Sequence, residues 1–247
     1  MIKKHRLTTL LLTFLLASSA GAADAFEATD LAIKKGNFAE ARTQLDAALA
    51  KDAGNFHAVW RLSRLQVMEA DAKSDPAEKE KGYAQALATA DRAVEIAPNE
   101  PHGYLRRASA AGKLALFKGV LEAREKVLMV KENAEKAIAI ASGGPDVQGW
   151  AHYVLGRAHL KLSETPAVIR KPLGLAWGSV AGAEKHLLQA VELKPESVLI
   201  WAEVAKLRRK QKKKSEFDQA MGKVRALPIL EPTDKDGKTE AQSLSFD

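Results

Sequence analysis

An all-α fold, drawn out as a right-handed solenoid of about five helix hairpins, is what this sequence predicts, on three observations. The composition leans on Ala, Leu, Lys and Glu with few aromatics, residues that lose little rotamer freedom in a helix. Apolar residues recur at helical rather than strand spacing along most of the chain. A short segment repeats: AVEIAPNE (Ala93 to Glu100) and AVELKPES (Ala190 to Ser197) share an alanine, an apolar pair and a proline that ends the run, while AALAKDAG from Ala47 and AIAIASGG (Ala137 to Gly144) keep the outline without the proline. Each reads as the end of an amphipathic helix stopped by Pro or Gly.

A pair of helical patterns precedes each stop. In the first, an Ala-rich helix ends near Lys35, Gly36-Asn37-Phe38 makes a turn, and Ala41, Leu45, Ala48 and Leu49 line one face of the next helix. The second pair leads with Trp60, Leu62, Leu65 and Met68, crosses a polar connection from Asp71 to Glu80, and continues with Tyr83, Ala86, Leu87, Ala90, Ala93 and Val94. The third leads with Tyr104, Ala108 and Ala111 and closes with Leu128, Ala134, Ala137 and Ile138. The fourth opens at Trp150, runs through Leu155-Gly156-Arg157-Ala158-His159-Leu160-Lys161-Leu162, and ends on Ala183, Leu187, Ala190 and Val191. The fifth runs from Val198 through Trp201, Val204, Ala205 and Leu207, then Phe217, Ala220, Met221 and Val224 to Leu227. A lone hairpin cannot bury both apolar faces, so each pair stacks on the next, and small residues such as Gly156, Ala205, Ala86 and Ala220 allow close approach.

The LGRAHLKL run of Leu155 to Leu162 and the ALxxAxxAVxxxP runs ending at Pro98 and Pro195 resemble tetratricopeptide repeats. The spacing departs from that family: Ala48, Ala93, Ala137 and Ala190 lie 45, 44 and 53 residues apart, against an ordinary repeat of about 34. The extra residues are expected between the two helices of a pair, as in residues 163–178, where Pro166, Pro172 and Gly174 break regularity. Overlong hairpins, WRLSRL (Trp60 to Leu65), the EAREKVLMVKENAEKAIAI stretch ending at Ile140, the HYVLGR run and the closing DKDGKTEAQSL of Asp234 to Leu244 resemble the regulator of microtubule dynamics branch, over roughly residues 30 to 245. The fourth insertion lacks much of the aromatic and paired-proline content expected of that branch.

The N-terminus is expected to be a signal for export. Lys3, Lys4 and Arg6 are followed by an apolar stretch from Leu7 to Ala17 and then by small residues, with Ala20-Gly21-Ala22 and Ala23-Asp24-Ala25 fitting a cleavage pattern. The stretch is short for a bilayer span of about 20 residues; the plainer alternative is a retained anchor helix. The expected division is residues 1–25 as signal peptide, 26–228 as repeat domain and 229–247 as a C-terminal extension, with the mature chain periplasmic or secreted. There is no cysteine, which excludes disulfides and thiol chemistry. The formal charge of +7 falls on cleavage, and the mildly basic remainder does not point to nucleic acid.

The sequence carries few marks of catalytic chemistry. There is no G-x-S-x-G, H-E-x-x-H or phosphate loop, and Gly143-Gly144-Pro145 reads as a helix-ending loop. His152 and His159 share a helix face, but no carboxylate accompanies them and both fall where packing residues belong, so no metal is expected. His57, His102 and His186 have no evident partner. Trp60 and Trp201 read as core, whereas Trp177, in a Leu173 to Trp177 apolar loop, reads as either a contact site or a flap over its hairpin. No catalytic residue, metal or cofactor is assigned, and the chain is not expected to be an enzyme.

Binding is what remains. Stacked leading helices present one face to the inner groove, and taking the packing residues as buried leaves Arg61, His102, Lys113, Arg157, Lys161, Lys206 and Arg209 facing it, with few carboxylates besides Glu69. A basic groove of this kind accepts an acidic peptide or a terminal carboxylate; the plainer reading is solubilising charge. A basic run, Arg208, Arg209, Lys210, Lys212, Lys213 and Lys214, is either a solvated helix end or, with the insertion 163–178, a footprint for an anionic lipid or membrane surface. The expected function is a protein- or peptide-binding scaffold, lipid binding being the alternative. Action on microtubules, which the resemblance implies, does not suit an exported chain.

Overall fold

The computed structural model describes residues 25–117 and 120–246. The signal peptide expected at residues 1–25 lies almost wholly outside them. Among the described residues there are twelve helices and no strand: α1 (Glu27–Lys34), α2 (Phe38–Lys51), α3 (Phe56–Asp71), α4 (Pro76–Ile96), α5 (Pro101–Ala115), α6 (Val120–Ile140), α7 (Gly144–Glu164), α8 (Ala167–Arg170), α9 (Val180–Leu193), α10 (Val198–Lys210), α11 (Lys214–Ala226) and α12 (Pro232–Gln242). They pair as α1/α2, α3/α4, α5/α6, α7/α9 and α10/α11, and each pair packs on the next, so the fold is an α-solenoid of five hairpins. None of these helices is long and apolar enough to cross a membrane.

The starts follow local chemistry. Asn55, Asp75 and Ser179 each accept a hydrogen bond from the backbone N–H three residues on, at 3.0 Å, covering donors that the first turn leaves unpaired. Pro76 and Pro101 occupy the first turn, where a missing N–H is harmless. The long repeat spacing has a cause that differs from expectation. Residues 76–80 are not a connection but the exposed first turn of α4, and α4, α6 and α7 are each 21 residues long. Except in the fourth hairpin, the extra length has gone mainly into the helices. A charged PAEKEK run with Asp75 capping it and Pro76 at its head starts a helix as readily as it fills a loop.

Cores form a chain of seams along the stack. Ile33, Leu45 and Leu65 are fully buried between α1, α2 and α3, and Leu187, Ile200 and Leu207 between α9 and α10. Gly156 marks a close approach of the two helices in the fourth hairpin: a Cβ there would lie 2.8 Å from Leu187 Cγ and 3.0 Å from its backbone nitrogen. In the insertion, Leu175 is fully buried and Trp177 packs edge-on to His159 at 4.9 Å, so this loop folds over its own hairpin. What the insertion exposes is Val168 and Ile169 on α8.

The C-terminal extension does not trail away. From Leu227 it runs back to the first hairpins, where Pro232 lies beside Gly36 and Glu231 accepts a hydrogen bond from Arg64 of α3 at 2.8 Å. α12 then lies against α10 and α11, and Phe246 finishes on Phe217 with ring centres 5.4 Å apart.

Candidate functional site

Between the leading helices α3, α5 and α7 and the inner side of α12 lies a cavity of about 780 Å³. Its apolar wall includes Val67, Met68, Val130, Val154 and Leu162; its polar groups include Asp71, Tyr83, Arg106, Lys113, Arg157 and Lys161; and α12 contributes Thr233, Asp236, Thr239 and Glu240. Leading helices form it because the small residues that seat each hairpin on the next lie on their other face. Ala108 and Ala111 of α5 and Ala151 of α7 are 0 % exposed, which leaves Arg106, Lys113 and Arg157 for the groove.

Most of its cations already have partners. Lys113 Nζ donates to both oxygens of Asp71, at 2.6 and 2.8 Å, and the Tyr83 hydroxyl donates to the same carboxylate. Burial and the hydrogen bond to Asp71 raise the pKa of Tyr83. Arg157 donates to the Tyr153 hydroxyl at 3.0 Å, and its Nε is 3.4 Å from Glu203, whose side chain is 3 % exposed. Arg157 also stands 4.0 Å from Glu240 of α12, which Lys206 bonds directly. Burial opposes the charge of Glu240, but the Lys206 hydrogen bond and the nearby cations outweigh it and its pKa is lowered.

Arg106 differs. It forms no ion pair or hydrogen bond among the described residues, and its Nε is buried without an acceptor. Its guanidinium lies 5.8 Å from the Trp60 ring. Burial, reinforced by the neighbouring charge of Arg64, lowers its pKa to about 10. Lys161 is bonded to Glu164, on its own helix at 3.0 Å, and its side chain is half exposed at 54 %. One half-buried guanidinium with no bonded carboxylate and one half-exposed amine therefore flank an apolar hollow, an arrangement suited to an anion with an apolar body.

The residues singled out in the sequence separate into three groups. Lys113, Arg157 and Lys161 line the cavity. Lys206 faces α12, and Arg209 is exposed with its guanidinium 3.4 Å from the Ser245 carbonyl. Arg61 and His102 are packing residues of the first hairpins. Arg61 is 6 % exposed, paired with Asp30 at 2.8 Å and set 4.1 Å above the Trp60 ring. His102 stacks on that ring at 4.7 Å, and burial, followed by the charges of Arg106 and Arg61, lowers its pKa to about 4. Glu69 pairs with Arg42. Sequence reasoning misses Arg64 and Arg106, and with them the carboxylates of α12. Arg64 follows Arg61 by three residues and Arg106 follows His102 by four, so helical spacing is the signal that could have found them.

The basic run is divided by its own fold. Arg208 is 7 % exposed and bonded to Glu184 and Glu216. Lys213 stands 3.4 Å from Glu216, and Lys214 is 3.3 Å from Asp218. Lys212 turns the chain at a φ of 58°.

The histidines form an unexpected cluster. His152 and His186 share a hydrogen bond between Nδ1 atoms at 2.9 Å, and the His159 ring lies 5.6 Å from that of His186. Burial lowers the pKa of all three, that of His186 to about 4, so they are neutral near pH 7. Among the described residues no three His, Asp or Glu side chains are grouped to hold a metal ion.

A family model described as "Regulator of microtubule dynamics protein 1-3" matches residues 25–246. Among solved structures, a thermophilic TPR protein of Thermus thermophilus is similar at a TM-score of 0.61 and 17 % identity, over 90 % of this chain and 97 % of that one. A structure titled "MamA RS-1 ArsTM double mutant" is similar at a TM-score of 0.47 and 16 % identity, over 83 % and 95 %. No curated protein sequence matches.

Proposed function

The chain belongs to the regulator of microtubule dynamics protein family, and from that premise we propose that it is a non-catalytic scaffold holding an acidic segment of a partner protein in the groove of its solenoid. The observation that carries this is Arg106. A half-buried arginine with no directly bonded carboxylate is held at a cost to the fold, which Asp146, Glu231 and Asp30 offset only in part, and its position at the wall of an open, mostly apolar cavity gives that cost a use. Lys161 at the cavity edge supplies a second, exposed charge for attraction. Inner surfaces of helical-repeat solenoids are suited to extended or helical peptides, and the TPR protein of similar fold is consistent with that use. The N-terminal charge-and-apolar pattern supports the bacterial periplasm as the compartment in which it acts.

The test is capture from envelope extract by the immobilised mature chain, compared with the doubly altered Arg106→Gln, Lys161→Glu chain. An acidic partner retained by the first, eluted by salt and lost from the second is the expected result. Capture that is indifferent to both substitutions refutes the groove. Arg157 is unsuitable for this purpose, because reversing it sets a second carboxylate against the buried Glu203 and leaves Lys206 as its one cation among the described residues. Release of the protein by osmotic shock, with the signal removed, checks the compartment.

A further inference from the structure

α12 is a poor match to part of the surface it covers. Its docked stripe is good: Glu231 meets Arg64 at 2.8 Å, Asp234 accepts from the Val198 N–H at the start of α10 at 3.1 Å, and Glu240 meets Lys206. At the centre sits Gly237, where a Cβ would lie 2.9 Å from the Leu199 Cα and 3.1 Å from its nitrogen; those are backbone atoms that cannot step aside. Only a residue without a side chain lets the two helices touch there. Positions 231, 234, 237 and 240 thus form one face that reads acid, acid, glycine, acid.

The side turned to the cavity fits badly. Thr233, Asp236 and Thr239 face a wall that holds Val67, Met68 and Val154. The Thr233 hydroxyl is buried with no partner. Asp236 is pushed toward its neutral form by burial and by the nearby Asp71 carboxylate. α12 leaves the cavity open and Arg106 unpaired beside it.

We propose that α12 is an internal stand-in for an external ligand: this surface takes an acidic amphipathic helix of a partner protein. That helix displaces α12, keeps its acid, acid, glycine, acid face, and turns apolar side chains to the cavity where α12 presents Thr233, Asp236 and Thr239. A tethered segment competes at an effective concentration in the millimolar range, so an external helix must bind better than α12 to enter. The uncovered apolar wall and the unmatched guanidinium are where it gains the difference. The inference rests on the scaffold reading above and names the shape and chemistry of its ligand.

The experiment uses the mature full chain and fluorescent peptides of residues 229–246. One peptide has the native sequence; the other carries Thr233→Leu, Asp236→Leu and Thr239→Leu. Anisotropy should show the leucine peptide binding at least tenfold tighter than the native one, and Gly237→Val within the leucine peptide should abolish its binding. In the reverse arrangement, Gly237→Val in the chain should release α12 and raise its affinity for the native peptide at least tenfold. Should that chain lose helicity by circular dichroism, Glu240→Lys, which sets a cation against Lys206 and Arg157, makes the same comparison. Equal affinity for the two peptides, or binding of the leucine peptide that survives Gly237→Val, overturns the proposal. So does a chain released by either substitution that binds the native peptide no better. Capture of an envelope partner alongside such failures leaves the scaffold reading standing and removes only this one. Peptide binding as expected with no partner captured upholds the ligand chemistry of this surface and counts against a partner in the envelope.

Discussion

Arg106→Met should make the protein more stable and less able to bind. Methionine follows the arginine stem as far as Nε, so the exchange removes the charged guanidinium while keeping the packing of the stem. Burial draws the Arg106 pKa down from the ordinary arginine range to about 10, so the site disfavours the guanidinium charge by about two to three factors of ten. At about 1.4 kcal/mol per factor of ten, that is roughly 3 kcal/mol. The sign is fixed by linkage: a base whose folded pKa is lowered destabilises the fold at every pH below that value and ceases to do so as pH rises past about 10. The contact over Trp60 returns about 0.5–1 kcal/mol, so the expected net gain at pH 7 is about 2 kcal/mol. For a chain of this length that is a Tm higher by about 4–8 °C. Urea unfolding followed by circular dichroism, with a thermal scan beside it, reads the effect. A variant less stable than the parent by about 1 kcal/mol or more, a clear excess over the scatter of such measurements, would show that Arg106 is satisfied where it stands and that the cavity holds no anion site.

Acid should loosen the fold before most carboxylates titrate. His102 and His186, lowered from 6.5 to about 4, leave the unfolded chain binding protons that the folded chain refuses between those values, so stability falls with pH across that window at up to about 3 kcal/mol per pH unit. His186→Gln should remove about half of that slope, and a urea midpoint that stays flat from pH 7 to 5 would count against it. Leu187→Ala, at a fully buried position, should lose about 3 kcal/mol. Gly156→Ala should lose about 1–3 kcal/mol by overpacking, and the double variant should lose less than the sum, because the new methyl enters the space that Leu187 vacates; strict additivity in a double-mutant cycle would refute that contact. Asp234→Ala leaves the N–H groups of Val198, Leu230 and Glu231 without their acceptor and should expose residues 227–231 to proteolysis while the solenoid keeps its helicity.

The solenoid was legible because each hairpin carries its own signals. Trp60, Leu65 and Met68 mark a buried stripe, Pro98 and Pro195 mark stops, and Gly36 marks a turn; all of these are local. The groove was half legible. Helical spacing from Lys113, Arg157 and Lys161 leads to the cavity, but the same spacing passes over Arg64 and Arg106. It also admits Arg61 and His102, whose aromatic neighbours Phe26, Phe56 and Trp60 come partly from other helices. α12 does not read as part of the groove, for a physical reason. Its buried residues are Asp234, Gly237 and Ala241, too small and too polar to make an apolar stripe, and it is held by charge and close backbone approach to partners far away in sequence. The signal that existed was Glu231-Pro232-Thr233-Asp234, an acidic residue, a first-turn proline and an acid that accepts the N–H groups of Leu230 and Glu231.

Helical-repeat chains ordinarily fold as one-dimensional arrays, each unit stabilised by its immediate neighbours, with short-range contacts and ends free to fray. The bond between Arg64 and Glu231 spans 167 residues, and with Pro232 beside Gly36 it ties the first turns of the array to its last. That turns an open spring into a clasped one. Closing so long a loop has an entropic penalty that grows only logarithmically with its length, so a few such bonds suffice to hold it, and few need break to undo it. With the clasp shut, fraying at either end must stretch the whole coil; with the clasp open, curvature becomes a soft coordinate. Whatever occupies the groove therefore also sets the stiffness of the molecule, and hydrogen exchange at α1 and α2 should register an event that takes place at the opposite end of the chain.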